Sequence, residues 1–471
     1  MRATSINVAF WLVWLLLAVF FYFNSFDDPS SIFFNADKAY VQRYSAVRAT
    51  EADDFLGRLA LQRNTSLPQD SGSGDGGAGS EFLCIGIPSV NRTTEFFLAH
   101  TVATLVDTLT PDERASVHII VLLADRSPET HFAYGQPWLE ALADEVLVYD
   151  VPSANASEDD GPDPDRRRRD NTPSDGIEVE ASRNSTVYHK IPFDVAGVPR
   201  GESRVENMRM DHSVLVETCR RRGTPYFALV EDDVVASRDW LPRLRRGLSR
   251  VESESGRTGR DWIYLRLFYS ELFMGWNSEE WLAYCQSVFF VYAVVLVAFL
   301  VLRRRSLPSF LLRRNLGNAA AAGGGSGGGG STKPRLLADG HLAALLFGLW
   351  MPASILLFFM AGRVTLNRMS PFPPPAGVRE MPRYGCCAQG LVFPQKQLEG
   401  FQRLLRDPPY RFAGDQILEG YAGQHGFSKW ALDPSVLQHV GRKESSEGPH
   451  KAEVWNFSFE RLGGPKRDLK E

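Results

Sequence analysis

Three long apolar runs without a single Asp, Glu, Lys or Arg constrain this chain more than any other feature. They are Ile6–Phe23 (INVAFWLVWLLLAVFFYF), Trp281–Leu302 and Leu342–Ala361. A helix of roughly 20 apolar residues crosses the hydrocarbon core of a bilayer, and each run meets that length. A bilayer interior offers no partner to a backbone N–H or C=O, so each run must close its hydrogen bonds internally as a helix. A cleaved signal peptide would carry a basic leader and a small-residue cleavage site. Arg2 is the only basic residue before the first run, which ends on the bulky Phe21-Tyr22-Phe23 and is followed by Phe26-Asp27-Asp28, so the expectation is an uncleaved anchor. The segment between the second and third runs holds Arg303, Arg304, Arg305, Arg313, Arg314, Lys333 and Arg335, with no acidic residue before Asp339. Basic loops stay in the cytosol. The chain therefore divides into a cytosolic tail (1–5), an anchor (6–23), a lumenal segment (24–280), a span (281–302), a cytosolic loop (303–341), a second span (342–361) and a second lumenal segment (362–471).

The lumenal segments carry sequons at Asn64, Asn91, Asn155, Asn184 and Asn456, and the cytosolic loop carries none. Glycosylation is expected at Asn64, Asn155, Asn184 and Asn456. Gly/Ser-rich or Pro/Asp-rich composition marks 71–80, 157–175 and 319–331 as flexible linkers. Gly72-Ser-Gly74-Asp-Gly-Gly77 has the spacing of a dinucleotide-binding loop. It precedes a strand-like run, whereas such a loop must follow a strand and open a helix. The 52 Lys and Arg against 56 Asp and Glu leave a net charge of −4, which gives no reason to expect nucleic acid as a partner. No Asp, Glu, Lys or Arg interrupts the spans, which argues against a channel or transporter. Five cysteines are present, an odd number. Cys84 sits in an apolar run and reads as a buried thiol, and the pairing stays open.

In the first lumenal segment, strand-like and helix-like runs alternate. Phe82–Ile87, Val117–Leu123, Glu145–Tyr149 and Tyr226–Val230 read as buried strands. Glu95–Thr108, Arg204–Arg222 and Arg238–Arg250 have helical spacing. This alternation predicts an α/β fold with an open, mostly parallel sheet, whose ligands bind beyond the carboxyl ends of the strands. At one such end stands Glu231-Asp232-Asp233. Three adjacent carboxylates repel unless a cation or donor joins them, and hard divalent cations commonly link carboxylates to substrate phosphates. Further on, Asp415 opens a short helix and His439 ends an apolar run. The chain has no HExxH, Walker loop or CxxC motif.

Taken in order, these elements resemble the GT-A glycosyltransferases. More closely, the chain is similar to the post-GPI-attachment N-acetylgalactosamine transferase family, which has an N-terminal anchor and a transmembrane hairpin inserted in its GT-A domain. The matching stretches are LVEDDV (Leu229–Val234), WIYLRLFYSELFMGW (Trp262–Trp276), the hairpin, YGCCAQGLVFP (Tyr384–Pro394), GDQIL (Gly414–Leu418) and PSVLQHVG (Pro434–Gly441). The last is also similar to the N-acetylglucosaminyltransferases that branch N-glycans.

The resemblance implies a GT-A-like catalytic domain split in sequence by the hairpin. It implies Asp233 and His439 as ligands of Mn2+ or another divalent cation, and Glu231 and Asp232 at the metal and donor ribose. Gly390 corresponds to a glycine loop near the transferred sugar, and Asp415 to the catalytic base. Pro88, Ser89 and Arg92, after the first strand, and Asp125, after VLLA, would bind the nucleotide. The implied reaction is metal-dependent, inverting transfer of N-acetylgalactosamine from UDP-GalNAc to the mannose core of GPI anchors. The partners would be GPI-anchored proteins, a nucleotide sugar and membrane lipids, at the Golgi membrane with a lumenal catalytic domain. Two alternatives stay open: a transferase acting on N-glycans or using another UDP-sugar, and a catalytically silent GPI-glycan-binding membrane protein.

Overall fold

Uninterrupted apolar runs become strands buried on both faces, as a parallel sheet covered by helices requires. The computed structural model describes residues 2–65, 81–91, 97–150, 187–193, 200–201, 203–306, 340–369, 377–381, 388–441 and 455–463. The chain forms two units: Met1–Ala39 with Glu271–Pro374, and Tyr40–Ser270 with Pro375–Glu471.

The second unit is an α/β domain. Its strands among the described residues are β1 (Leu83–Ser89), β2 (Val117–Leu123), β3 (Glu145–Asp150), β4 (Tyr188–Pro192), β5 (Tyr226–Val230), β6 (Val234–Ala236), β7 (Trp262–Arg266), β8 (Gly377–Glu380), β9 (Gly390–Pro394), β10 (Ser428–Asp433) and β11 (Leu437–His439). Nine form one sheet in the order β4-β3-β2-β1-β5-β9-β7-β10-β8. β1 pairs in parallel with β2 and β5, β2 with β3, β3 with β4, and β7 with β10. β9 runs antiparallel between β5 and β7, and β8 is antiparallel to β10. The parallel strands thus finish along one edge, where Ser89, Leu123, Val230 and Arg266 end their strands. β6 and β11 form a separate antiparallel pair that sets His439 opposite Val234.

Alternate residues of β1 feed two cores. Leu83, Ile85 and Ile87 join one with the Leu98–Val106 and Trp240–Thr258 helices. Cys84 faces the other, with the Arg204–Arg222, Leu398–Arg406 and Gly414–His425 helices. The expectation of a buried Cys84 thiol is corrected here. Cys84 forms a disulfide with Cys219, 135 residues away, which pins the Arg204–Arg222 helix to the sheet. Structural disulfides belong to oxidising compartments. Cys285 is free and exposed. Cys386, Cys387, the three linker stretches, Asn155 and Asn184 lie outside the described residues.

The expected bounds of β2, β5 and the Arg204–Arg222 helix match the structure. β1 runs two residues further than expected, so Pro88 and Ser89 close the strand instead of following it. The helix expected over 95–108 occupies Leu98–Val106. The one expected over 238–250 occupies Trp240–Thr258 and stops at Gly259, whose φ of 68° suits a residue without Cβ.

In the first unit, Thr4–Asn24, Ser278–Arg303 and Gly340–Ala361 are helices long and apolar enough to cross a membrane. Indole donors tie the N-terminal helix to the third: Trp14 Nε1 donates to Ala353 O and Trp350 Nε1 to Asn7 Oδ1, both at 2.9 Å. Just beyond the N-terminal helix, Asp28 accepts from Thr365 N (2.6 Å) and Ser30 N (2.9 Å). Gly362, with φ 88°, permits this approach, since a Cβ there would lie 2.3 Å from Asp28 Oδ2.

Candidate active site

The site is built on the turn where β5 ends at Val230. Four apolar residues drive β5 into the core, and the next three are Glu231, Asp232 and Asp233. Asp232 and Asp233 are buried, and Glu231 is half-buried. The turn is held by its backbone. Thr101 Oγ1 lies 2.8 Å from Asp232 O and 2.7 Å from Val234 O, and Val440 N donates to Asp233 O at 2.9 Å. The last bond brings in β11, so His439 Nε2 stands 3.2 Å from Asp233 Oδ2. Two side chains 206 residues apart in sequence are thereby brought together as candidate cation ligands.

Leading into and along β11, the chain is fastened at each step. The Asp433–Pro434 peptide is cis. Tyr269 Oη donates to Asp433 Oδ1 at 3.1 Å, and Ser435 Oγ and Val436 N both donate to Leu267 O. Gln438 Nε2 donates to Asn456 O and Glu460 Oε1, both at 2.9 Å. Glu460 Oε2 in turn accepts the N–H groups of Arg43, Tyr44 and Ser45 at the start of the Tyr44–Thr65 helix.

This arrangement corrects the glycosylation expectation at Asn456. Asn456 has no solvent exposure. Its Nδ2 donates to Tyr269 O (2.8 Å), and its Oδ1 accepts from Phe459 N (3.1 Å) to cap a short helix. The nitrogen that would carry a glycan is used inside the fold. Asn64 lies in the last turn of the Tyr44–Thr65 helix.

Ser89, expected to touch the nucleotide, is 1 % exposed, and its hydroxyl is committed to Asp232 Oδ2 at 2.7 Å. His131 completes a directed relay. Its Nδ1 accepts from Ala133 N (3.1 Å), so its proton sits on Nε2, which lies 3.2 Å from Ser89 Oγ. Burial pushes the imidazole pKa down to about 4, so the ring is neutral and the relay keeps its direction. Ser89 therefore acts through Asp232. Pro88 sits within β1, paired opposite Leu122. Asp125 accepts from Asn91 N at 3.1 Å and lies 3.9 Å from His131 Nε2, and burial raises its pKa. Asn91 Nδ2 donates to Thr130 O. Arg92 lies outside the described residues.

Gly390 lies in a strand, where a loop was expected. It is a buried residue of β9, paired with Val230, and a Cβ there would lie 2.6 Å from Leu437 Cδ1 and 3.0 Å from Leu267 Cβ. Packing against Leu437 and Leu267 accounts for its missing side chain.

Asp415 is the second residue of the Gly414–His425 helix, half-buried, and its Oδ1 accepts from Gln416 N at 2.9 Å. The electrostatics join it to the triplet. Glu231 is pushed up to about 8 by burial first and then by Asp233, with smaller contributions from Asp232 and Asp415; His439 acts in the opposite sense. Asp415 is therefore close enough for its charge to be felt at Glu231. One helical turn on, Glu419 is buried and accepts from Arg266 Nη2 and Lys429 Nζ, both at 2.7 Å, and from Tyr264 Oη. Lys429, Glu419, His131 and Glu460 carried no sequence signal, and Arg266 and Gln438 none beyond lying in the matching stretches, because a buried polar partner is defined by what folds onto it.

Among the described residues, no three His, Cys, Asp or Glu side chains converge into a protein-only metal cage. The donor set that exists, one carboxylate oxygen and one imidazole nitrogen with a further carboxylate beside them, suits a divalent cation that takes its other ligands from substrate and water. Gly441 leaves the space against this pair clear: a Cβ there would lie 2.6 Å from Asp233 Oδ2.

Fold and site define a domain with an acidic cluster at the carboxyl end of a central parallel strand, the place where α/β sheets bind their ligands. The chain matches no known protein family, and no characterised protein matches it in sequence.

Proposed function

We propose that this chain is a Golgi-membrane glycosyltransferase of the GT-A type. It transfers N-acetylgalactosamine from UDP-GalNAc to the mannose core of GPI anchors, with inversion at the anomeric carbon. One observation carries this reading: Asp233 Oδ2 and His439 Nε2 meet at 3.2 Å beyond the central strand, with the charge of Asp415 felt at the neighbouring Glu231. The Cys84–Cys219 disulfide and the three membrane-length helices support an anchored domain in an oxidising lumen.

Asp233 and His439 would hold the cation, which Asp232, fixed by Ser89 and His131, would support. When bound, a divalent cation stabilises the charge that develops on a departing nucleoside diphosphate. Asp415 accepts the acceptor hydroxyl proton as the new C–O bond forms. The bond from the anomeric carbon to the phosphate oxygen breaks at the same time, and its electron pair leaves with UDP. One base and no protein nucleophile give inversion, as in glycoside chemistry. The chain leaves the domain after Ser270 and returns at Pro375. The second lumenal segment is thereby tethered to the membrane in which a lipid-linked acceptor resides, raising the effective concentration of that acceptor.

The test is the purified full-length chain in liposomes, given a panel of UDP-sugars, Mn2+ and a GPI-glycan acceptor. Transfer from UDP-GalNAc is expected, and Asp415→Asn should bind donor normally while losing roughly 10²-fold or more in kcat. Near-normal transfer by Asp415→Asn would remove the base. Glycan binding without turnover of any donor would make the chain a binding module.

A further inference from the structure

We propose that Gly441 is a specificity-determining residue of the cation site: its missing side chain is the steric condition under which Asp233 and His439 can hold a divalent cation together. This rests on reading those two residues as cation ligands, and it assigns a role to the last residue of the PSVLQHVG stretch, which that reading leaves without one.

A Cβ on Gly441 would lie 2.6 Å from Asp233 Oδ2, 3.2 Å from His439 Nε2 and 3.3 Å from Asp233 Cγ. The two ligand atoms are themselves 3.2 Å apart. A divalent cation held by both would need about 2.0–2.2 Å to each. A methyl carbon at those distances competes for the same small volume or drives the carboxylate away from the imidazole.

The backbone gives little room for relief. Val440 N donates to Asp233 O at 2.9 Å, and His439 is paired with Val234 across the β6–β11 ladder. Gln438, one residue before the ligand, is fixed by Asn456 and Glu460. The adjustment therefore falls on the Asp233 side chain, the group that must stay in place. No unusual backbone conformation demands glycine here, since Gly441 is absent from the positive-φ glycines. Space against the ligands is what demands it.

The experiment measures Mn2+ affinity by electron paramagnetic resonance on the purified full-length chain, stripped of metal by chelation, with the melting temperature of the metal-free protein recorded alongside. Gly441→Ala should weaken Mn2+ at least tenfold with metal-free melting near that of the parent. Gly256→Ala, on the Trp240–Thr258 helix with nothing within 4 Å of its Cβ position, should leave affinity unchanged. His439→Ala separates the two levels. If the parent chain binds no Mn2+, or His439→Ala binds as the parent does, the cation reading fails and this inference with it. If His439→Ala loses the ion and Gly441→Ala keeps parental affinity, the glycine inference alone is overturned. Should Gly441→Ala not fold, the Asp233→Ala/Gly441→Ala pair decides. Recovery of folding places the clash on Asp233 as proposed, and continued failure refutes it.

Discussion

Glu419 offers the sharpest test of how the Asp415 helix is held. Its carboxylate lies between Arg266 and Lys429 at 2.7 Å each, with Tyr264 Oη on the same oxygen as Arg266. Arg266 and Tyr264 are wholly buried, and Lys429 and Glu419 are 7 % exposed. Glu419→Leu would leave a buried guanidinium and a buried ammonium without the acid they share. Removing one member of a buried ion pair costs about 3–5 kcal/mol. Lys429→Met keeps the Arg266–Glu419 pair and replaces an ammonium with an apolar chain of similar length. By the same physics it costs less than about 1.5 kcal/mol. For a unit of this size, ~1 kcal/mol moves the melting temperature by roughly 2 °C. Glu419→Leu should then melt about 6–10 °C below the parent, and Lys429→Met within about 3 °C. Differential scanning fluorimetry in detergent at pH 7.5 reads both. Glu419 lies one turn after Asp415, so Glu419→Leu should also lower kcat more than it raises donor KM. Equal losses from the two substitutions, or no loss from Glu419→Leu, would refute the shared-carboxylate account.

Other outcomes follow from the same geometry. Cys219→Ala releases a cross-link spanning 135 residues, worth about 4–5 kcal/mol by chain entropy; peptide mapping without reductant should recover the Cys84–Cys219 peptide from the parent, and the variant should melt roughly 8–10 °C lower. Peptide mass spectrometry of secretory-pathway protein should find Asn456 unmodified, and Asn456→Gln should cost about 1–3 kcal/mol through the lost cap and the lost bond to Tyr269. Gly390→Ala should destabilise by about 1–3 kcal/mol through overpacking while donor KM holds; a large KM change at unaltered stability would return Gly390 to the donor site. Glu145 is held below its usual 4.5 by the His118 hydrogen bond, with help from Arg222 and His189. That stability is present above pH 4.5 and is lost as pH falls through the depressed value, so Glu145→Gln should flatten the acid limb of a melting-temperature profile.

What the sequence made legible was what single segments decide. YFALV and VHIIVLL are apolar throughout and could only be buried strands, and the acidic triplet follows one of them directly. Asp415 was readable because a helix start has local chemistry. β9 was not readable as the strand between β5 and β7, since its neighbours are set by pairing over long separations. Cys84 looked like an ordinary buried thiol because its partner lies on a helix 135 residues away. Asn456 had the form of a glycan acceptor, and only the packing of Tyr269 and Phe459 around it shows otherwise. Gly390 and Gly441 read alike in sequence, yet one makes room for Leu437 and the other for the Asp233–His439 pair.

The position of β9 also sets an order of assembly. β5 and β7 are synthesised before the two apolar helices, and β9 after them, yet β9 lies between β5 and β7. The nascent sheet must therefore wait with a vacancy at its middle and two unsatisfied strand edges while the membrane segments are inserted. At translation rates of about 5–20 residues per second that wait is on the order of ten seconds. Unpaired edges of this kind invite the wrong partner. Substitutions in the apolar helices that slow insertion should thus surface as aggregation and chaperone retention, a defect of timing in a domain whose own sequence is intact.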